Sequence, residues 1–162
     1  MKIILFGIYL LLFCSSHLIA QSKDVKGNDL YLEIGGNGGI FSVNYERETV
    51  KNLNIRLGFS EFPEGGSSNS GSHLDYYSLV LLMANYLVRF SNENSSCLEI
   101  GIGGVANLVE YTASGGIGPE ISVGYRYSPI EGGIMFQIAV TPLITTNDGV
   151  FPWAGISIGY KF

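Results

Sequence analysis

Along most of the chain, apolar residues alternate with small or polar ones, which is the period of a β-strand. The last stretch shows it most cleanly. Ala154, Ile156, Ile158, Tyr160 and Phe162 fall on one face, and Gly155, Ser157, Gly159 and Lys161 on the other. The same division recurs upstream. Leu30, Leu32 and Ile34 oppose Tyr31, Glu33 and Gly35; Phe41, Val43 and Tyr45 oppose Ser42, Asn44 and Glu46; Ile55, Leu57 and Phe59 oppose Asn54, Arg56 and Gly58. Leu98, Ile100 and Ile102 oppose Glu99, Gly101 and Gly103. Ile121, Val123, Tyr125 and Tyr127 oppose Glu120, Ser122, Gly124 and Arg126, and Ile134, Phe136, Ile138 and Val140 oppose Met135, Gln137, Ala139 and Thr141. The segment 76–90 reads as a longer strand that is apolar on both faces from Leu79 to Met83, so its facing stays open.

These segments make eight strands with no helical pattern between them, which implies consecutive hairpins in one closed sheet. The connections alternate in length. Short turns are expected at 48–52, 91–96 and 128–132, and longer loops at 61–73, 108–116 and 144–152. Short turns at one end and long loops at the other are the asymmetry of outer-membrane barrels. The first hairpin departs from it: Gly36-Asn37-Gly38-Gly39 reads as a tight turn, Gly and Asn supplying positive φ, although it lies at the long-loop end.

Alternation alone does not say which face is outside. Glu33, Glu46, Glu99 and Glu120 share a face with Arg56, Arg126 and Lys161, a nearly balanced set able to pair inside a barrel. Gly35, Gly58, Gly101, Gly103, Gly124, Gly155 and Gly159 lie on that face too, where a barrel of this strand number is just wide enough for side chains. On a wetted surface these glycines would only weaken the strands. Tyr45, Tyr86, Phe90, Tyr125, Tyr127, Tyr160 and Phe162 collect at the short-turn ends, and Phe59, Tyr76, Phe151 and Trp153 near the long loops. Two aromatic girdles around an aliphatic band match the two interfaces of a bilayer. The fold expected over 29–162 is all-β, an eight-stranded antiparallel up-and-down transmembrane β-barrel with its charged face inside.

The start of the chain carries Lys2, an apolar run from Ile3 to Cys14, and small and polar residues up to Ala20. This is the layout of a cleaved secretory signal over 1–20, and the run is short of the roughly 20 residues a spanning helix needs. Residues 21–28 are polar and without period, and read as a flexible periplasmic segment. Cleavage leaves Cys97 as the lone cysteine, so no intramolecular disulfide is expected. Glycine, at 22 of 162 residues, is about twice its usual share of roughly 7%. The formal charge is −5, and losing Lys2 with the leader makes it −6, which argues against a nucleic-acid partner.

The mature chain resembles the small eight-stranded outer-membrane barrels of the OmpA/OmpX type from Gram-negative bacteria. The resemblance rests on Ile34-Gly35-Gly36-Asn37-Gly38, Val43-Asn44-Tyr45-Glu46-Arg47, and Gly155-Ile156-Ser157-Ile158-Gly159-Tyr160-Lys161-Phe162. It implies that the final strand, through Tyr160 and Phe162, is a sorting signal read by the barrel-assembly machinery, and that the barrel sits as a monomer among outer-membrane lipid. The periplasmic peptidoglycan-binding domain of longer OmpA relatives is not expected.

Some barrels of similar build are lipid-modifying enzymes, and such chemistry usually needs a His with a hydroxyl and an acid. The mature chain has His73, near Ser72 and Asp75 at the end of a Gly/Ser loop, which reads as a solvated loop residue. One Cys and one His in distant segments give no zinc spacing, and Gly101-Ile102-Gly103-Gly104-Val105-Ala106 is followed by no helix, so neither a metal nor a cofactor is expected. Aqueous pores belong to barrels of about sixteen strands. The inner charges are therefore expected to form a packed cluster, with Arg56 and Arg126 pairing with glutamates. The expected function is non-enzymatic: structural, or surface contact through the loops. A lipid-modifying enzyme and a narrow channel are the alternatives.

Overall fold

Period-2 alternation folds here as it reads, into extended strands that place each successive side chain on the opposite side of one wall. The structure, a computed structural model, describes residues 27–63, 76–90, 95–108, 117–145 and 149–162. The expected leader, His73, and most of the long loops lie outside the described residues. Strands run over β1 (Asn28–Gly35), β2 (Phe41–Val50), β3 (Leu53–Pro63), β4 (Tyr76–Arg89), β5 (Ser96–Asn107), β6 (Ile117–Tyr127), β7 (Gly133–Val140), β8 (Leu143–Thr145), β9 (Gly149–Phe151) and β10 (Ala154–Lys161). All but β8 and β9 close into one barrel of eight strands in the order β1-β10-β7-β6-β5-β4-β3-β2. Each strand is antiparallel to both neighbours, as consecutive hairpins require.

Closure joins the first strand to the last, from Asp29 opposite Lys161 to Gly35 opposite Gly155. The Asn28 N–H donates to the Phe162 carbonyl at 2.9 Å, and the Phe162 N–H donates back to Asn28 at 2.8 Å. No sheet edge remains along this seam, which is the condition for a barrel to stand in lipid. Asn28 thus belongs to the wall, although its polar neighbours place it in the N-terminal segment by sequence.

Burial is inverted relative to a water-soluble barrel. On β10, Ile156, Ile158 and Tyr160 are 52%, 59% and 55% exposed, whereas Ser157 is 2% exposed. The facing of β4 is now settled. Leu81, Met83, Asn85 and Leu87 are buried inside, and Leu82, Tyr86 and Val88 stand outside. These large inward side chains fit because glycines lie beside them: Gly58 is opposite Leu81, Gly103 opposite Met83, and Gly101 opposite Asn85. A Cβ at Gly103 would strike the Leu82 carbonyl and the Met83 backbone.

Three connections differ from expectation. The 61–73 loop begins later, because Glu61, Phe62 and Pro63 pair with Ser78, Tyr77 and Tyr76 and carry β3 onward. Pro63 ends the strand, where a missing N–H costs no ladder bond. The 144–152 link contains the small β8–β9 sheet, in which Leu143 pairs with Phe151 and Ile144 with Val150 along the backbone. Gly36–Gly38 is a single 3-10 turn with Gly36, Asn37 and Gly38 all buried. Positive φ at Gly35 (73°) and Gly36 (76°) folds this turn inward, a path that suits only glycine. It closes the barrel mouth from inside, which is how so short a connection sits at the long-loop end.

The short turns need less. Between β2 and β3 the chain reverses over Lys51 and Asn52, with Asn52 at φ 65° and its N–H accepted by the Glu48 carboxylate at 3.0 Å. Asn tolerates this left-handed conformation better than other side-chain-bearing residues. The β6–β7 ladder is brief, running only from Val123 opposite Val140 to Tyr127 opposite Phe136. Pro119 within β6 and Pro142 just beyond β7 fall where that ladder would continue, and neither has an N–H to donate.

Candidate functional site

Inward positions of the strands bring the charged residues into the barrel interior, in two tiers joined by Tyr31. In the tier nearer the short turns, Arg126 of β6 meets three carboxylates. Its Nη1 lies 2.6 Å from Glu46 Oε1 and 2.6 Å from Glu99 Oε2, and its Nη2 lies 2.9 Å from Asp29 Oδ2. One cation among three anions leaves negative charge to be met by neutral donors. The Tyr31 hydroxyl (3.1 Å), the Asn54 amide (2.5 Å) and the Asn85 amide (2.9 Å) all donate to Glu46. The Gln137 amide donates to Glu99 at 2.8 Å.

The second tier, toward the long loops, is built on Arg56 of β3. Its Nη2 lies 2.5 Å from Glu33 Oε2, and its Nε donates to Asn44 Oδ1 at 3.0 Å. Glu33 also accepts from the Ser42 hydroxyl at 3.1 Å and from the Gly38 N–H at 3.4 Å, which ties the inward turn to the ion pair. Above it, the Asn37 amide donates to Glu120 at 2.7 Å and to the Ile121 carbonyl at 3.3 Å. The Tyr31 ring stands between the tiers with the Arg56 guanidinium carbon 5.4 Å and that of Arg126 5.8 Å from its centroid, both in cation–π range.

All seven predicted charges are buried inside the barrel. The structure brings Glu33 to Arg56, and Glu46 and Glu99 to Arg126. Glu120 meets the Asn37 amide instead of an arginine. Lys161 sits across from Asp29 in the β1–β10 register, but among the described residues no carboxylate lies within 4 Å of its ammonium. Asp29, Tyr31 and the amides of Asn37, Asn54, Asn85 and Gln137 are members that sequence reasoning passed over. Period 2 would have found Asp29, since it shares parity with Tyr31 and Glu33.

The arrangement buries the charged side chains of both tiers. Arg56 and Arg126 are the largest of the side chains under 2% exposed, and with Leu81, Met83, Leu87 and Met135 they fill the interior. Among the described residues no group of His, Cys, Asp or Glu is placed to hold a metal ion. Cys97 is buried with its thiol against the Arg126 carbonyl. Tyr160 and Phe162 stand on the outer face at the short-turn end, 55% and 59% exposed.

No family model and no curated protein matches the sequence. Among solved structures, the chain is similar to the N-terminal β-barrel domain of Pseudomonas aeruginosa OprF, with 13% identity, a TM-score of 0.55, and coverage of 84% of this chain and 96% of that one. It is also similar to the Yersinia pestis outer membrane protein Ail as determined in a phospholipid bilayer nanodisc, with 12% identity, a TM-score of 0.53, and coverage of 85% and 99%. At such identities the likeness is one of fold, and the chain shares with both a closed eight-stranded up-and-down barrel.

Proposed function

We propose that this chain is an integral outer-membrane barrel protein, non-enzymatic, whose charged interior stiffens the wall and whose long loops make contacts at the cell surface. The observation that carries the proposal is the inversion of burial: serine, asparagine, glutamate and arginine inside, isoleucine, leucine and valine outside, around the whole barrel. In water this exposed aliphatic surface would far exceed the few hundred Å² that soluble monomers tolerate. In a bilayer it is the matching surface. The similarity to Ail, an outer membrane protein by its description, supports the same setting.

Delivery fits the proposal: a leader over 1–20 cleaved on export, then assembly through the last strand with Tyr160 and Phe162 as its recognition end. The test is cell fractionation with gel mobility before and after boiling. The barrel should partition with outer membranes, resist urea extraction, and migrate differently unheated and boiled. A soluble protein with a single mobility would refute the membrane setting. Deleting Phe162 should lower the assembled, heat-shifting fraction, and unchanged assembly would refute the role of the last strand.

A further inference from the structure

We propose that the outer wall over β10 carries a groove that holds one acyl chain of a bilayer lipid, at the loop-side rim. The proposal rests on the membrane setting above. The cavity has a volume of about 370 Å³ and is lined by Ile34, Ile40, Ile138, Trp153, Ala154 and Ile156, with no charged residue. It follows from the register. Ile34 of β1, Ile156 of β10 and Ile138 of β7 form one cross-strand row on the outer face. The next outward position on β10 is Ala154, whose methyl gives a low floor where the row above it is tall. Ile40, on the chain leaving the inward turn, and Trp153, just before β10, complete the lining.

The size falls in the range of small-ligand sites, roughly 300 to 1,000 Å³, too small for a folded partner and suited to a linear hydrocarbon. The occupant is a lipid chain because the groove is continuous with the exposed aliphatic band: Ile34 is 69% and Ile156 52% exposed. Leaving bulk lipid for this groove gains little hydrophobic free energy, since lipid tails are as apolar as the lining. Retention therefore depends on shape, through the many dispersion contacts a fitted trough offers and a smooth wall does not. Trp153 bears on the mouth. Its ring lies 6.5 Å from that of Phe151, and its indole N–H has no acceptor among the described residues, so packing alone positions it.

Trp153 is the chain's single tryptophan and reports directly on the groove. The full-length mature barrel, refolded in detergent micelles, is titrated with phosphatidylcholine carrying a dibrominated acyl chain. Quenching of Trp153 should saturate at low lipid mole fraction, and unbrominated lipid should reverse it. Ala154→Phe, which fills the floor, should raise the half-saturating lipid fraction about tenfold, a loss of about 1.4 kcal/mol. Ile40→Ser, which removes part of the lining without adding bulk, should shift it in the same direction, and heat-dependent gel mobility verifies that both variants are folded. Quenching that rises linearly with lipid fraction and is identical in the variants, with heat-dependent mobility intact, would overturn the groove and leave the membrane barrel standing. Absence of both quenching and heat-dependent mobility would overturn the membrane setting itself.

Discussion

Arg126 holds three carboxylates within 2.9 Å of its guanidinium, and nothing else among the described residues carries a positive charge to them at that range. Removing one partner of a buried ion pair strands the other, at a cost of about 3 to 5 kcal/mol. Arg126→Met should therefore destabilise the barrel by at least about 3 to 5 kcal/mol, read as a lower urea midpoint and a lower temperature for the gel-mobility shift. Arg56→Met strands only Glu33 and should cost less. The paired change Arg56→Met with Glu33→Gln should recover part of the loss, because replacing both partners removes the uncompensated charge. An Arg126→Met barrel as resistant to urea as the parent would show the cluster to be energetically idle. The parity of these residues was legible in the sequence, their partners were not. Glu46 lies directly opposite Arg56 in the β2–β3 register, yet Arg56 turns to Glu33 and Glu46 reaches across the barrel to Arg126. Such choices depend on the cross-section of the closed barrel, which no single strand encodes.

At the scale of the element, β10 shows how one strand serves two environments. Ile158, between Leu32 and Phe136 on the outer face, should meet lipid. Ile158→Lys should cost about 2 to 4 kcal/mol if that position is near the bilayer midplane, measured by reversible unfolding in vesicles. A cost near zero would place Ile158 outside the hydrocarbon core, at an interface or in water. Gly124 tests the inner face: a Cβ there would collide with the Ile138 carbonyl and with Ala139. Gly124→Val should abolish assembly, read as loss of the heat-dependent mobility, whereas Gly118→Ala, whose Cβ would make only an ordinary contact with the Val105 side chain at 3.7 Å, should not. Strand identity was readable wherever alternation held. The ends of β3 and the β8–β9 sheet were not, because Glu61–Pro63 and Leu143–Thr145 carry no period-2 signal and extend by pairing alone. The inward path of Gly36–Gly38 was half legible: its residues announce positive φ, but only the interior partners Glu33 and Glu120 decide that the turn folds in.

At the scale of the whole molecule, closure, tight inner packing and an aliphatic exterior point to one account, a filled barrel that spans a membrane by its strands. A filled interior predicts no steady conductance in planar bilayers at neutral pH, and an open, ion-selective current would contradict the packing of Arg56 and Arg126. The most direct test of the central claim is the environment of the outer face. In a Cys97→Ser background reconstituted in phospholipid vesicles, nitroxides are attached at Ile156→Cys and Ile158→Cys on β10 and at Ile134→Cys and Ile138→Cys on β7, and collisions with oxygen and with a water-soluble nickel chelate are compared. The account predicts high oxygen and low nickel accessibility at all four, greatest in contrast toward the middle of the strands. Nickel accessibility at these sites equal to that of an exposed loop would contradict it.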